Sequence, residues 1–232
     1  MAGIQLTPEG WSGSTRGIWN RRANVVIDRK SGIEVVGRKL INALGGNDVI
    51  TGEQESGVGV FVPSKPRRGN LQLGDGDDSL TGTSKQGVGI ENRGFIFTGP
   101  GNDSIIGSGG KSGIRNRGYI FTQGGNDSVD AREGGIRGGG FIDLSAGSDT
   151  FIGFGNHVVY GGGGRDTLLL PAGSYDVAKR NKNRYRLEKG DDRLEIFDFE
   201  VVGGINSKRS QRIEIDNGGT LVVKTDGSIS LT

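Results

Sequence analysis

Large apolar residues recur at two fixed distances from an aspartate in six segments of the chain. The aspartates are Asp48, Asp78, Asp103, Asp127, Asp149 and Asp166. Two positions after each aspartate stands Ile50, Leu80, Ile105, Val129, Phe151 or Leu168, and seven positions before it stands Ile41, Leu71, Ile96, Ile120, Ile142 or Val159. Columns of like residues at a period of roughly 20 to 30 residues predict a solenoid in which each copy is one coil.

The repeat is clearest where residues 89–108 are restated in residues 113–132. Each copy joins short β-branched or aromatic runs through a Gly-rich turn, and Gly stands two positions before every aspartate. No segment shows a helical period, so the runs are predicted to be strands. Equivalent strands would stack about 4.8 Å apart and join the two apolar columns into one core.

We therefore predict an all-β fold, a right-handed parallel β-solenoid closed by an antiparallel β cap. Residues 1–31 form an N-terminal cap in this prediction and residues 32–170 form the repeats. Residues 171–232 form the C-terminal cap, because segments such as 193–197, 212–215 and 220–224 alternate apolar with polar residues between hairpin-type turns.

Composition supports a turn-rich solenoid and narrows the function. Only 32% of the residues are hydrophobic and 46 are Gly, yet Gly recurs beside strand-forming residues rather than in a disordered tract. The chain has no Cys, which excludes disulfides and thiolate metal sites. No apolar run reaches the roughly 20 residues of a membrane span, so none is expected. The net charge of the chain is +2, but the repeat region is net acidic and its acidic residues lie in turns. This distribution disfavours nucleic-acid binding.

The turns contain a known calcium-binding pattern. Residues 161–169, GGGGRDTLL, fit the nonapeptide G-G-x-G-x-D-x-U-x in full, and the other five turns keep its G-x-D-x-U core. Over roughly residues 43–170 the chain resembles the repeats-in-toxin (RTX), or haemolysin-type, calcium-binding family. The resemblance implies a β-roll in which Ca²⁺ is held by turn carbonyls and by the six aspartates of the repeat. Asp75 and Asp77 are possible additional ligands.

The sequence also departs from that family. Only one turn has the complete glycine pair, and a coil of about 24 residues has a single ion-type turn where the family usually has two in about eighteen. In the alternative interpretation, Asn and Asp side chains only hydrogen-bond the turn backbone and no ion is needed. Both interpretations remain open from sequence.

A second column lies ten positions before the aspartates and consists of Arg38, Arg68, Arg93 and Arg117. Stacked guanidinium groups can bind a linear polyanion, so the alternative function is a binding module for an anionic polysaccharide or cell-surface polymer, with calcium only structural or absent. The competing interpretation is a solvated face on which Glu91 and other acids pair with the arginines.

No catalytic constellation emerges, so we expect a protein that is not an enzyme. His157 has no companion histidine, and the carboxylates between residues 191 and 200 have no partner nucleophile. The predicted function is that of a calcium-binding structural, secreted or surface-associated protein. The resemblance implies export through an uncleaved C-terminal signal to an extracellular or cell-surface location. A cytoplasmic location and the oligomeric state stay open.

Overall fold

The chain winds into coils with three sides, and each side is a stack of parallel strands. The computed structural model describes residues 4–7, 10–12, 25–28, 33–35, 40–64, 69–206 and 219–232. A typical coil contributes Phe95–Pro100 to the first sheet, Ser104–Gly109 to the second and Ser112–Asn116 to the third. The described residues contain strands but no helix, so the predicted all-β parallel solenoid is confirmed.

Sheet 1 carries the first strand of each coil. These strands are Leu40–Asn42, Asn70–Gln72, Phe95–Pro100, Tyr119–Gly124, Phe141–Asp143 and His157–Tyr160, with the short segments Ala146–Gly147 and Gly163–Gly164 beside them. Sheet 2 consists of Val25–Asp28, Val49–Gln54, Ser79–Ser84, Ser104–Gly109, Ser128–Glu133, Thr150–Ile152, Thr167–Leu170 and Val201–Gly204. Sheet 3 consists of Gly10–Ser12, Ile4–Thr7, Ile33–Val35, Val58–Val62, Val88–Asn92, Ser112–Asn116 and Ile136–Arg137.

Both predicted apolar columns lie in register. In sheet 1, Ile96 pairs with Leu71 on one side and Ile120 on the other. In sheet 2, Ile105 pairs with Leu80 and Val129. All of these side chains are buried. The sequence prediction missed a third inward column in sheet 3, formed by Ile33, Val60, Ile90, Ile114 and Ile136. The core is therefore filled from three sides.

The C-terminal segment first continues the coils and then closes them. Asp192–Phe197 pairs in parallel with His157–Tyr160, and Val201–Gly204 pairs in parallel with Thr167–Leu170. Arg184–Lys189, Gly173–Asn181, Gly219–Val223 and Ile229–Leu231 then extend sheet 1 by antiparallel pairing. The antiparallel cap is thus observed in part, since the strand predicted at residues 212–215 lies outside the described residues.

Parallel stacking runs past both predicted domain boundaries. Val25–Asp28, within the predicted N-terminal cap, already pairs in parallel with Val49–Gln54 of sheet 2. Coil-type pairing at the other end reaches residue 204. In the described part of the chain, no helix is long and apolar enough to cross a membrane.

Candidate functional site

The six repeat aspartates form one buried column at the corner between sheets 1 and 2, called here the aspartate corner. Each is at most 3% exposed. The Oδ1 atom of one aspartate accepts the backbone N–H of its equivalent in the preceding coil: Asp78 accepts from Asp48 at 2.7 Å, Asp103 from Asp78 at 2.8 Å and Asp127 from Asp103 at 2.8 Å. Asp149 and Asp166 continue the ladder at 2.7 and 2.9 Å.

The exposed Glu200 ends this ladder in place of a seventh aspartate. Its Oε2 accepts the backbone N–H of Asp166 at 2.7 Å. Sequence analysis missed Glu200 because the G-x-D core is absent there. Its position directly before Val201–Gly204, which extends sheet 2, was the available signal. The hydrogen-bonding alternative stated from sequence is therefore present in the structure.

The second carboxylate oxygen is the unusual feature of the column. Among the described residues, Oδ2 of Asp78, Asp103, Asp127, Asp149 and Asp166 is buried and has no hydrogen-bond partner. The hydroxyls of Thr98 and Thr122 lie close by, but each donates its proton to a carbonyl of the next coil, at 3.0 and 2.8 Å. An ionised carboxylate buried in this way is costly unless a proton or a cation compensates it.

Burial accordingly raises the pKa of the column. At four of the aspartates desolvation is the largest cause, and it raises the pKa of Asp78 and Asp149 to about 7 and that of Asp103 and Asp166 to about 6. Neighbouring aspartates add to the shift at Asp78, because like charges in adjacent coils repel. The pKa of Asp127 is raised as well, again mainly by burial.

A second ladder runs along the solvent side of the same corner and opposes the first in direction. Asn47 Oδ1 accepts the backbone N–H of Asp77 at 3.0 Å, and Asp77 Oδ1 accepts that of Asn102 at 2.7 Å. Asn102 Oδ1 accepts the backbone N–H of Asn126, and Asn126 Oδ1 accepts that of Ser148. Asp77 and Asp75, the two additional ligands of the sequence prediction, are exposed here, and the charge of Asp77 adds to the raised pKa of the buried Asp78 and Asp103.

The aspartate corner contains oxygen atoms of the kind that calcium binds, but only a few of them lie together. Calcium prefers six to eight oxygen ligands, and the Oδ2 atoms without a partner are oxygens whose negative charge a cation or a proton could compensate. Within the described ranges, however, no group of three or more His, Asp or Glu side chains is placed to hold one metal ion. An ion here would draw carboxylates from successive coils and complete its shell with turn carbonyls or water.

The predicted arginine column lies at the corner between sheets 3 and 1, called here the arginine corner. Arg93 Nη2 lies 2.6 Å and Arg117 Nη1 lies 3.3 Å from Glu91 Oε1, while Arg115 Nη1 lies 3.7 Å from Glu91 Oε2. Glu91 is buried, whereas Arg93 and Arg117 are about half exposed. Three guanidinium groups thus share one carboxylate. Arg38 and Arg68 lie outside the described residues.

Inside the arginine corner, asparagines form a third ladder. Asn92 Nδ2 donates to Asn116 Oδ1 at 2.9 Å, and each Oδ1 also accepts a backbone N–H of its own turn, from Gly94 and Gly118. Asn116 Nδ2 contacts His157 Nε2 at 3.3 Å, and burial lowers the pKa of His157. His157 is therefore a buried neutral end to this ladder, and its Nδ1 lies 2.8 Å from the Val158 carbonyl.

The outer face of sheet 1 carries an aromatic column that sequence analysis missed. Phe95 stacks on Tyr119 at a centroid distance of 5.1 Å, and Phe97 stacks on Phe121 at 5.4 Å. Phe141, Tyr160 and Phe197 continue the column towards the cap. The signal was present, because Phe95 and Phe97 flank the inward Ile96 and strand alternation places both rings outward. Since the rings stack on one another, mainly their edges face solvent.

Comparison with protein-family models, with curated proteins and with solved structures returned no match to this chain. The RTX resemblance therefore rests on the residues of the repeat.

Proposed function

We propose that this chain is a non-catalytic structural solenoid that binds calcium along the aspartate corner. The observation that carries the proposal is the set of five buried Oδ2 atoms without a partner. A cation placed between successive coils would convert the repulsion between their carboxylates into attraction. Asp48, Asp78, Asp103, Asp127, Asp149 and Asp166 would hold the ions, and the charge supplied by calcium would strengthen the stacking of coils. By the RTX resemblance, such a protein would act outside the cell or at its surface.

Calcium is expected to stabilise the folded chain at pH 8, where the column is mostly ionised. Ligand at a hundred times its Kd adds about 2.7 kcal/mol to the free energy of unfolding through one site. For a chain of this length that corresponds to a rise in Tm of roughly 5–10 °C. Thermal unfolding followed by circular dichroism, with calcium, with magnesium and with a chelator, measures this rise.

The double variant Asp103→Asn/Asp127→Asn tests where the ions bind. Asn keeps an oxygen for the backbone N–H of the preceding coil but removes the charge of two adjacent coils. We expect the calcium-dependent rise in Tm to shrink by at least about half, because Asp103 and Asp127 border three of the five gaps between successive aspartates of the column. Asp176→Asn, an exposed aspartate of the cap, is the matched control and should keep the full rise. Equal Tm values in calcium and in chelator would refute calcium binding at this corner.

A second candidate function is supported by the charge at the arginine corner. Three guanidinium groups surround Glu91, so among the described residues two positive charges are left without a carboxylate at this place. The arrangement suits a binding module for an anionic polysaccharide, whose carboxylates would pair with the exposed sides of Arg93 and Arg117.

Arg93→Gln/Arg117→Gln is expected to weaken binding to alginate by about tenfold or more at low salt, since two charge-assisted contacts are removed. Added salt should weaken the wild-type interaction as well. Retention on immobilised alginate across a sodium chloride gradient measures both effects. Arg132→Gln is the control, because Asp130 already holds that guanidinium. Equal retention of the double variant and the control would exclude the arginine corner as the site.

A further inference from the structure

A cavity of about 500 Å³ lies at the end of the arginine corner, where glycines replace residues with side chains. In the coil after Asn116, Arg117 and Gly118, the equivalent positions are Gly138, Gly139 and Gly140, as the pairing of Tyr119 with Phe141 shows. These three glycines line the cavity. A Cβ atom added at Gly139 would meet no atom within 4 Å, so the position faces open space. The cavity therefore lies at the position that carries Arg117 one coil earlier.

The remaining walls come from the last coil and the cap, and they carry mostly polar side chains beside Val158. Asn156 and His157 lie at the start of one strand of sheet 1, and Arg193 lies near the start of the next. Four carboxylates complete the lining: Glu188, Asp191, Asp192 and Glu195. Planar groups with two hydrogen-bonding atoms, namely carboxylate, amide and guanidinium, thus surround a glycine floor.

The charges of this lining are largely compensated. Glu195 is paired with Arg184 and Arg186. Asp192 accepts a hydrogen bond from Asn156 at 2.9 Å and lies 3.6 Å from Arg137. A strongly charged ligand would find no matching excess of opposite charge.

Two groups remain available for hydrogen bonds to a ligand. Asp191 is exposed and has no hydrogen bond or ion pair among the described residues. Arg193 is more than half exposed, and its contact with Glu195 is long, at 3.8 Å. One is an acceptor and the other a donor, so the ligand must both donate and accept hydrogen bonds.

We propose that this cavity binds one unit of a neutral sugar. Sugar hydroxyl groups both donate and accept hydrogen bonds, and neighbouring hydroxyls match the two-atom edges of carboxylate, amide and guanidinium groups. The ligand carries no charge, which agrees with the balanced lining. The glycine floor lets a ring approach the backbone closely. This site is separate from the aspartate corner and needs no calcium.

The test is binding of D-glucose, D-galactose and N-acetylglucosamine at millimolar concentrations, followed by backbone amide NMR of the full chain. At least one sugar is expected to shift the amide signals of Gly138, Gly139, Gly140 and Gly190. Gly139→Arg should abolish those shifts by refilling the cavity. Asp191→Ala should weaken binding by about tenfold, because a hydrogen bond to a charged group is lost.

Gly124→Arg is the matched control, since Gly124 also has open space around an added Cβ and lies away from the cavity. It should bind sugar like the wild type. Glucuronate and agmatine serve as charged probes. Absence of sugar binding, binding of a charged probe only, or sugar binding that persists in Gly139→Arg would each overturn the proposal. Because all spectra are recorded with chelator present, a failure of calcium binding leaves this result unaffected.

Discussion

Replacing Gly125 by alanine is expected to destabilise the solenoid by roughly 3–5 kcal/mol, close to the whole margin of many domains. Gly125 has φ of 133°, in the region that favours glycine. An added Cβ would lie 1.7 Å from the carbonyl oxygen of Gly101 in the preceding coil. The equivalent residues, Gly101 and Gly147, are subject to the same restriction. Relief would require the two coils to separate at the aspartate corner, where the buried ladder holds them together.

The neighbouring residue supplies the control for this prediction. Gly124 has no atom within 4 Å of an added Cβ, and its partners in the adjoining coils, Pro100 and Ala146, already carry side chains. Gly124→Ala should therefore change the free energy of unfolding by less than about 1 kcal/mol. Urea unfolding of both variants measures the difference. Similar stabilities for the two variants would mean that the tight coil contact at Gly125 is not formed.

The coils could be predicted because the buried apolar residues recur at fixed positions in each sequence repeat. Two inward columns keep a fixed distance from the aspartates, so they are visible without a structure. The third column was hidden by a loop of variable length. Ile114 precedes Asp127 by 13 residues, whereas Val60 precedes Asp78 by 18, because the chain inserts residues between sheets 3 and 1 there. A search at fixed offsets cannot find such a column.

The direction of the aspartates was also available from sequence and was missed. Side chains two positions apart in a strand share one face. Asp103 directly precedes the strand Ser104–Gly109, and extending the alternation by one residue places it on the same inward face as the buried Ile105. The cavity at Gly138–Gly140 is different in kind, because most of its polar lining comes from the cap. The contact between that cap and the glycines depends on packing between distant segments, which no local pattern specifies.

In the absence of divalent cations, the free energy of unfolding is expected to fall by several kcal/mol as the pH rises from about 4 to about 8. The pKa of Asp78 and Asp149 is about 7 in the folded chain, whereas an unfolded aspartate titrates near 3.9. Between these values the folded state holds protons that the unfolded state has released. Stability is therefore highest near and below pH 4 and is lost as the pH rises through about 6 to 7.

Groups that act in the opposite direction are fewer. The pKa of His157 is lowered by burial, so its contribution to stability falls as the medium becomes more acidic than about pH 6.5. Burial raises the pKa of Glu195, but hydrogen bonds from Arg184 and Arg186 outweigh it and lower the pKa overall. The stability from Glu195 is lost only on acidification below its unfolded value. Among the described residues, one imidazole and two carboxylates, Glu195 and the exposed Asp226, oppose five buried aspartates, so the aspartates should set the slope.

Urea unfolding in metal-free buffer between pH 4 and pH 8 measures this slope, and Asp78→Asn/Asp149→Asn identifies its source. The double variant lacks the two carboxylates with the highest pKa, so its stability should depend less steeply on pH. Asp176→Asn again serves as the control with an unchanged slope. Calcium at pH 8 should restore part of the lost stability in the wild type but little in the double variant.

A wild-type stability that stays level or increases from pH 4 to pH 8 would show that the column is not buried as ionisable carboxylates. In that case the carboxylate oxygens would not need protons at low pH, and calcium at high pH could not compensate their negative charge.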